Sequence, residues 1–410
     1  MAEETKATNR KGRRSSGARP SNGAGDSTTA VASADDATDP LRAMRFVLNP
    51  HLRVIRCSKD EIVVKHGSRS LYSQTIADEE RTGMLGKLIG HAAKATSLQE
   101  LSDSGAFSPD EELLARQTVE YLASQEVLVD PQQDFAQTYL NSILGREMSA
   151  GGAPARPPLS QATVAILGCG PLGSVVARGL AASGLGSLIL IDERGMTDTP
   201  GSARTLDLPP SENGDGANAL CERVGSHVRH SGTAVDTRFA NPADAETITS
   251  AFETADLLVV AWEAFSPTLF HAVNEAAIAA RKPWMTVFFD GSEAIVGPTY
   301  LPGSSPCYYE FEIQNEATLL LRDEFVLYKD DAEDEALRRV HFTLPAHAQI
   351  AAGFATTSVL RMLTLGHTFT VGRAIRLDLE RMSVDYVDVL RLPRCPACRE
   401  ERPAYRHLFL

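Results

Sequence analysis

A chain of 410 residues, 43% hydrophobic and 23% charged, is long enough for two or three domains with real cores. Its formal net charge of −13 opposes a polyphosphate partner unless a basic patch is segregated. Its apolar runs stop well short of the ~20 residues a membrane span requires, which argues against a membrane partner.

The first 40 residues are Ala, Gly, Ser, Thr and charge with almost no aliphatic mass, and they predict a disordered tail. Glu3, Glu4, Asp26, Asp35 and Asp36 argue against a transit peptide, and no apolar segment follows that would direct secretion. The expected compartment is the cytoplasm. The basic segment from Arg10 to Arg19 reads as a solvated arm.

From Leu41 to about residue 150 the pattern changes to a first folded unit. The β-rich runs "LRVIRCS" (52–58), "EIVVKHG" (61–67) and "RSLYSQTI" (69–76) end in turn residues. "RTGMLGKLIGHAAK" then spaces Met84, Leu85, Leu88 and Ile89 as one helical face, and "SLQELSDS" suits a short second helix. In "SPDEELLARQTVEYLASQEV" Ser108 and Glu111 form a capping box with Pro109 at the first helical position, and Leu114, Val119 and Leu122 share a face. "EVLVD" closes the unit as a strand. Three strands, three helices and a last strand predict a winged-helix-like domain. Residues 41–130 carry eleven Lys and Arg against thirteen Asp and Glu, whereas a duplex reader needs a cationic surplus, so nucleic acid is not the expected ligand.

The order "F-x-x-N-P-x-L-x-V" at 46–54, hairpin, helices and "L-x-x-x-x-V-L-V" at 122–129 resembles the PqqD-like recognition element that reads leader peptides of ribosomally made natural products. In that family the leader adds a strand beside the third strand and lies against the third helix. By position the resemblance implies Leu71 and Tyr72 on the strand and Leu114, Gln117 and Tyr121 on the helix as leader contacts. The alternative is that each is core, since helical apolar faces usually pack inward.

A Gly- and Pro-rich linker covers about 151–160, and a second unit runs from 161 to 410. Strand "TVAILG", loop Gly168-Cys-Gly170-Pro-Leu-Gly173, helix "SVVARGLAASG" and strand "SLILIDE" make a βαβ start, with Asp192 where a ribose-binding acid is expected. "ADLLVVAW", "SPTLFHAVNEAAIAARK" and "PWMTVFFDG" continue the alternation of a doubly wound α/β sheet.

"VGPTYLPGSSPC" followed far downstream by "CPAC" resembles the E1-like adenylating superfamily of ThiF type. The resemblance implies a Rossmann-like domain, a structural zinc knot and an ATP site. Against that pattern the site is depleted of ions. Arg194 stands at the second acid, Arg204 is one place out of register, Asn218 lies where a Lys is expected, and Phe265 and Phe270 replace a metal-binding Asp and an Arg. A triphosphate needs cations and metal, so ATP is not the expected cofactor and no catalytic residue is assigned. Residual nucleotide affinity through Gly168, Gly170, Gly173, Asp192 and Arg204 stays open. One zinc pair, Cys395 and Cys398, is intact, while the other reads Cys307 with Glu310; a carboxylate ligates zinc as well, and His407 is an alternative fourth ligand. His271, His341 and His347 read as packing or surface residues.

A leader-reading domain ahead of a degenerate E1-like domain resembles the ThiF-like partner proteins of azole and azoline biosynthesis. The resemblance implies binding of a precursor leader, presentation of its core to a separate YcaO-type cyclodehydratase, and a homodimer contact. The first alternative is an E1-like enzyme that activates a peptide carboxylate with ATP. A nicotinamide-dependent oxidoreductase rests on the glycine loop and Asp192 alone.

Overall fold

The computed structural model describes residues 40–70, 73–133, 138–139, 142, 157–194, 220–333 and 343–398. The first unit opens with α1 (Pro40–Ala43) and β1 (Arg45–Leu48), followed by the meander β2 (Arg53–Arg56), β3 (Glu61–Lys65) and β4 (Ser73–Ala77). α2 (Met84–His91), β5 (Thr96–Ser97), α3 (Leu98–Asp103), α4 (Glu112–Ser124) and β6 (Leu128–Val129) complete it. Strand β1, which the sequence pattern did not announce, pairs antiparallel with both β5 and β6. β2, β3 and β4 form a separate antiparallel sheet in that order.

Alternation sets which side of the meander is buried. Ile62 and Val64 of β3 and Ile76 of β4 face the core, where they join Leu88 of α2 and Val119 and Leu122 of α4. The Ser108–Glu111 capping box forms as expected, with the Glu111 carboxylate accepting from the Ser108 N–H at 3.0 Å.

The second unit is built on one eight-stranded sheet. Its chain order is β7 (Thr163–Leu167), α5 (Pro171–Ala182), β8 (Ser187–Ile191), α6 (Leu220–Val228), β9 (Ala234–Arg238), α7 (Ala245–Thr254), β10 (Leu257–Trp262), α8 (Pro267–Ala280) and β11 (Trp284–Asp290). β12 (Glu293–Tyr300), α9 (Tyr308–Ala317), α10 (Arg322–Glu333), α11 (Pro345–Leu365), β13 (Arg373–Asp378) and β14 (Ser383–Asp388) follow. The spatial order is β14-β13-β12-β11-β10-β7-β8-β9. β11, β10, β7, β8 and β9 run parallel, and β12 to β14 are antiparallel additions.

The parallel strands read as continuous apolar runs because both faces are covered. In β7, Val164 and Ile166 pack with α5, α6 and α11, while Ala165 and Leu167 pack on the opposite face with α7 and α8. The chain leaves β7 toward β8 and β9 and returns to β10 on its other side. The reversal opens a crevice at the carboxyl ends of β7 and β10, the place where doubly wound sheets bind ligands.

Candidate functional site

The glycine loop lies in that crevice. Gly168 has φ +98°, and a Cβ on it would meet the Ala261 carbonyl at 2.2 Å, so only glycine fits between β7 and β10. Gly173 is packed just as tightly, since a Cβ there would lie 1.8 Å from the Gly168 carbonyl oxygen. The loop therefore has a packing function whatever else it binds.

The predicted ribose acid, Asp192, sits at the end of β8 and is fully buried. It accepts from the Cys169 N–H at 2.6 Å and from the Arg194 N–H at 2.9 Å. Arg194 then folds back so that its guanidinium donates to Asp192 Oδ2 at 2.8 Å and to Glu263 Oε2 at 2.8 Å, 4.4 Å above the Trp262 ring. Burial opposes the guanidinium charge, but Glu263 and Asp192 more than offset it, and the Arg194 pKa is raised. Glu263 in turn accepts from the Leu172 N–H at 3.1 Å, in the first turn of α5, with its carboxylate packed on Gly170.

Sequence reasoning noted Arg194 only as a lost acid and passed over Glu263. No sequence signal pointed to Glu263, since Asp192 and Arg194 already balance one another and Glu263 lies 69 residues on. Arg204 and Asn218 lie outside the described residues.

Phe265 and Phe270 stand at the start of α8 in an aromatic cluster. Phe270 is fully buried, with its ring 4.9 Å from Phe288 and 5.4 Å from Tyr308. Phe265 lies 5.8 Å from Phe325 and 6.2 Å from Tyr328, both on α10. Burial and nearby Asp290 push the Tyr328 phenol up to about 12. Just beyond, Glu312 joins His271 Nε2 at 2.9 Å and Lys329 Nζ at 2.8 Å, so His271 has a carboxylate partner.

The second cluster contains all four predicted metal-ligating residues. Donor atoms of Cys307, Glu310, Cys395 and Cys398 lie within 4.8 Å of one another. The Cys307 and Cys395 sulfurs are 3.6 Å apart, and Cys398 Sγ is 3.5 Å from Glu310 Oε2. The edges of a tetrahedron with Zn–S of 2.3 Å and Zn–O of about 2.0 Å are roughly 3.5–3.8 Å, so the donor set fits such an ion. Glu310 is fixed as the third residue of α9, accepting from the Cys307 N–H at 2.8 Å and from the Leu392 N–H at 2.5 Å. Burial pushes the Cys307 thiol up to about 11. The alternative ligand His407 lies outside the described residues.

In the first unit the predicted leader contacts divide. Leu114 is half-buried against the core, whereas Gln117 and Tyr121 are exposed on α4, next to exposed Leu113. Leu71 and Tyr72 lie outside the described residues. Gln74 Nε2 donates to Gln125 Oε1 at 2.8 Å, which ties β4 to the carboxyl end of α4. Among the described residues β4 pairs with β3 only, which makes it an edge strand of that sheet.

No protein-family model matches the chain, and no curated protein matches it in sequence. Solved structures do match. E. coli MccB with ATP is 20% identical with a TM-score of 0.56, over 87% of this chain and 100% of that one. The microcin C7 biosynthetic enzyme MccB in complex with N-formylated MccA is 18% identical with a TM-score of 0.56, over 87% and 100%. PaaA is 18% identical with a TM-score of 0.55, over 83% and 99%.

The chain shares its fold with MccB and PaaA. At such identities the likeness to MccB is one of architecture, and it spans both units of the chain. The MccB structure with ATP also corrects one expectation. A chain of this fold accommodates the nucleotide, so the missing ions at Phe265 and Phe270 do not by themselves remove ATP from consideration.

Proposed function

We propose that this chain binds the leader of a ribosomally made precursor peptide and presents the peptide's core to a separate YcaO-type cyclodehydratase, which performs the ATP chemistry of azoline formation. The observation that carries this reading is that β4 is an edge strand of its sheet, tied through Gln74 to Gln125 at the carboxyl end of α4, the helix on which Gln117 and Tyr121 are exposed. An edge strand offers unpaired backbone groups to an extended peptide, and alternate side chains of that peptide reach the helix. The first unit then acts as a PqqD-like, winged-helix element. The MccB complexes with MccA lend support from the same fold.

On this reading the chain raises the effective concentration of the core at its partner's active site, an effect on the order of 10²-fold or more for a tethered substrate. The E1-like unit supplies the docking surface for the cyclodehydratase and a homodimer contact. Zinc held by Cys307, Glu310, Cys395 and Cys398 would pin the loop after β14 to the start of α9, a structural service in a closed site. The test is reconstitution of precursor, cyclodehydratase and this chain. Modification that depends on the chain and is lost on deleting residues 41–130 supports the reading; modification unchanged by that deletion refutes it.

A second reading is favoured by one specific observation, the MccB structure with ATP: an E1-like enzyme that adenylates a peptide carboxylate. Peptide-dependent pyrophosphate release by the chain alone would select it over the first.

A further inference from the structure

The crevice at the carboxyl ends of β7, β8 and β10 contains charges of both signs, all supplied by the chain itself. In the first turn of α5 the Leu172 N–H, of the kind that holds an anion at a helix start, is taken by Glu263 at 3.1 Å, and in the glycine loop the Cys169 N–H is taken by Asp192 at 2.6 Å. Asp192 is fully buried, and Arg194 holds it through Nε and Nη2. Arg194 Nη1 then closes the ring to Glu263 at 2.8 Å, with the guanidinium stacked on Trp262.

Among the described residues, two buried carboxylates share the one, mostly buried guanidinium, which leaves the group with a formal charge of −1. A buried carboxylate left unpaired is costly, which is why the triad holds together.

We propose that Glu263 and Arg194 are an intramolecular stand-in for a nucleotide, the carboxylate in place of a phosphate and the guanidinium over the acid that would meet a ribose. The seat is thus guarded: a nucleotide enters only by displacing Glu263 from the Leu172 N–H and Arg194 from Asp192. The inference does not depend on the peptide-binding role, because it concerns the affinity of the crevice under either reading above. It also makes Glu263 the residue that sets that affinity, although it belongs to no nucleotide-binding motif.

The stand-in has a built-in reporter. The chain contains two tryptophans, and one of them, Trp262, carries the guanidinium on its face. Displacement of Arg194 removes a cation from that ring and changes its emission.

The experiment titrates MgATP, and separately AMP, into the full chain and into Glu263→Gln and Glu263→Ala, following tryptophan emission and binding heat. Glu263→Gln keeps the shape and removes the charge, and thermal unfolding of each variant checks that it is folded. Loss of one charge-assisted hydrogen bond and of the paired guanidinium's anchor is expected to tighten nucleotide binding by about tenfold or more in both variants. The emission change is expected to disappear in Trp262→Phe. Equal or weaker affinity in a folded Glu263→Gln, or no binding to any form, overturns the proposal. Failure of the leader to bind would leave this result untouched, so the two accounts fail separately.

Discussion

Cys307 and Cys395 bring their sulfurs to 3.6 Å from positions 88 residues apart, and Glu310 meets Cys398 beside them at 3.5 Å. The same Glu310 carboxylate holds the backbone N–H groups of Cys307 and Leu392. The purified chain is therefore expected to carry about one zinc, four donors being enough for a closed site. Glu310→Ala and Cys395→Ser should each lose most of it and lower the unfolding temperature, as metal analysis and calorimetry will report. Less than about a tenth of an equivalent in the unmodified chain would end the claim.

A pH dependence follows from Glu312. Burial raises its pKa, but the hydrogen bonds and charges of His271 and Lys329 outweigh that and hold it below the ordinary 4.5. A depressed carboxylate contributes stability that is present above its unfolded pKa and lost as pH falls through its folded one. Urea unfolding at a series of pH values should thus show stability falling below about pH 4.5, and Glu312→Gln should reduce that fall. A slope unchanged by the substitution would show that other carboxylates govern the acid limb.

Phe270 is fully buried against Phe288 and Tyr308. Phe270→Ala should destabilise the second unit by about 3–5 kcal/mol through lost burial and the cavity left behind. Placing ions there with Phe265→Asp and Phe270→Arg together should destabilise as well, because burial among aromatic rings costs the two charges more than their mutual attraction returns. Denaturant unfolding measures both, and a double variant as stable as the parent would mean that the cluster is wetter than its packing implies.

The strands and helices were legible where one period dominated. The apolar runs of β7, β8 and β10 announced a sheet covered on both faces, and Ser108 with Glu111 marked the start of the α4 region. β1 escaped because its four residues, Arg45–Leu48, are too few to show alternation, and its partners are two-residue strands distant in sequence. In the site, the resemblance to a two-pair zinc knot grouped Cys307 and Glu310 with the Cys395–Cys398 pair, and the fold brings the same four residues together. The Arg194–Glu263 pair escaped because it joins residues 69 apart, through a sheet order that periodicity does not specify. The resemblance implied ions where Phe265 and Phe270 stand, but not that charged groups gather beside the glycine loop.

On α4, Tyr121 and Leu113 are about half and two-thirds exposed, large apolar groups with little of their surface used. If a leader lies across them, Tyr121→Ala and Leu113→Ala should weaken a synthetic leader, taken from a precursor encoded beside this chain, by roughly tenfold each. Fluorescence anisotropy with labelled leader measures this. The chain's unfolding temperature should barely move, since neither side chain is core.

Backbone hydrogen exchange across Ser73–Ala77, with and without saturating leader, tests the peptide-binding account most directly. If an incoming strand pairs with edge strand β4, exchange in this segment slows on leader addition while β14, an edge strand of the eight-stranded sheet, stays unchanged. A leader that binds without slowing exchange in Ser73–Ala77, or that does not bind at all, contradicts the account.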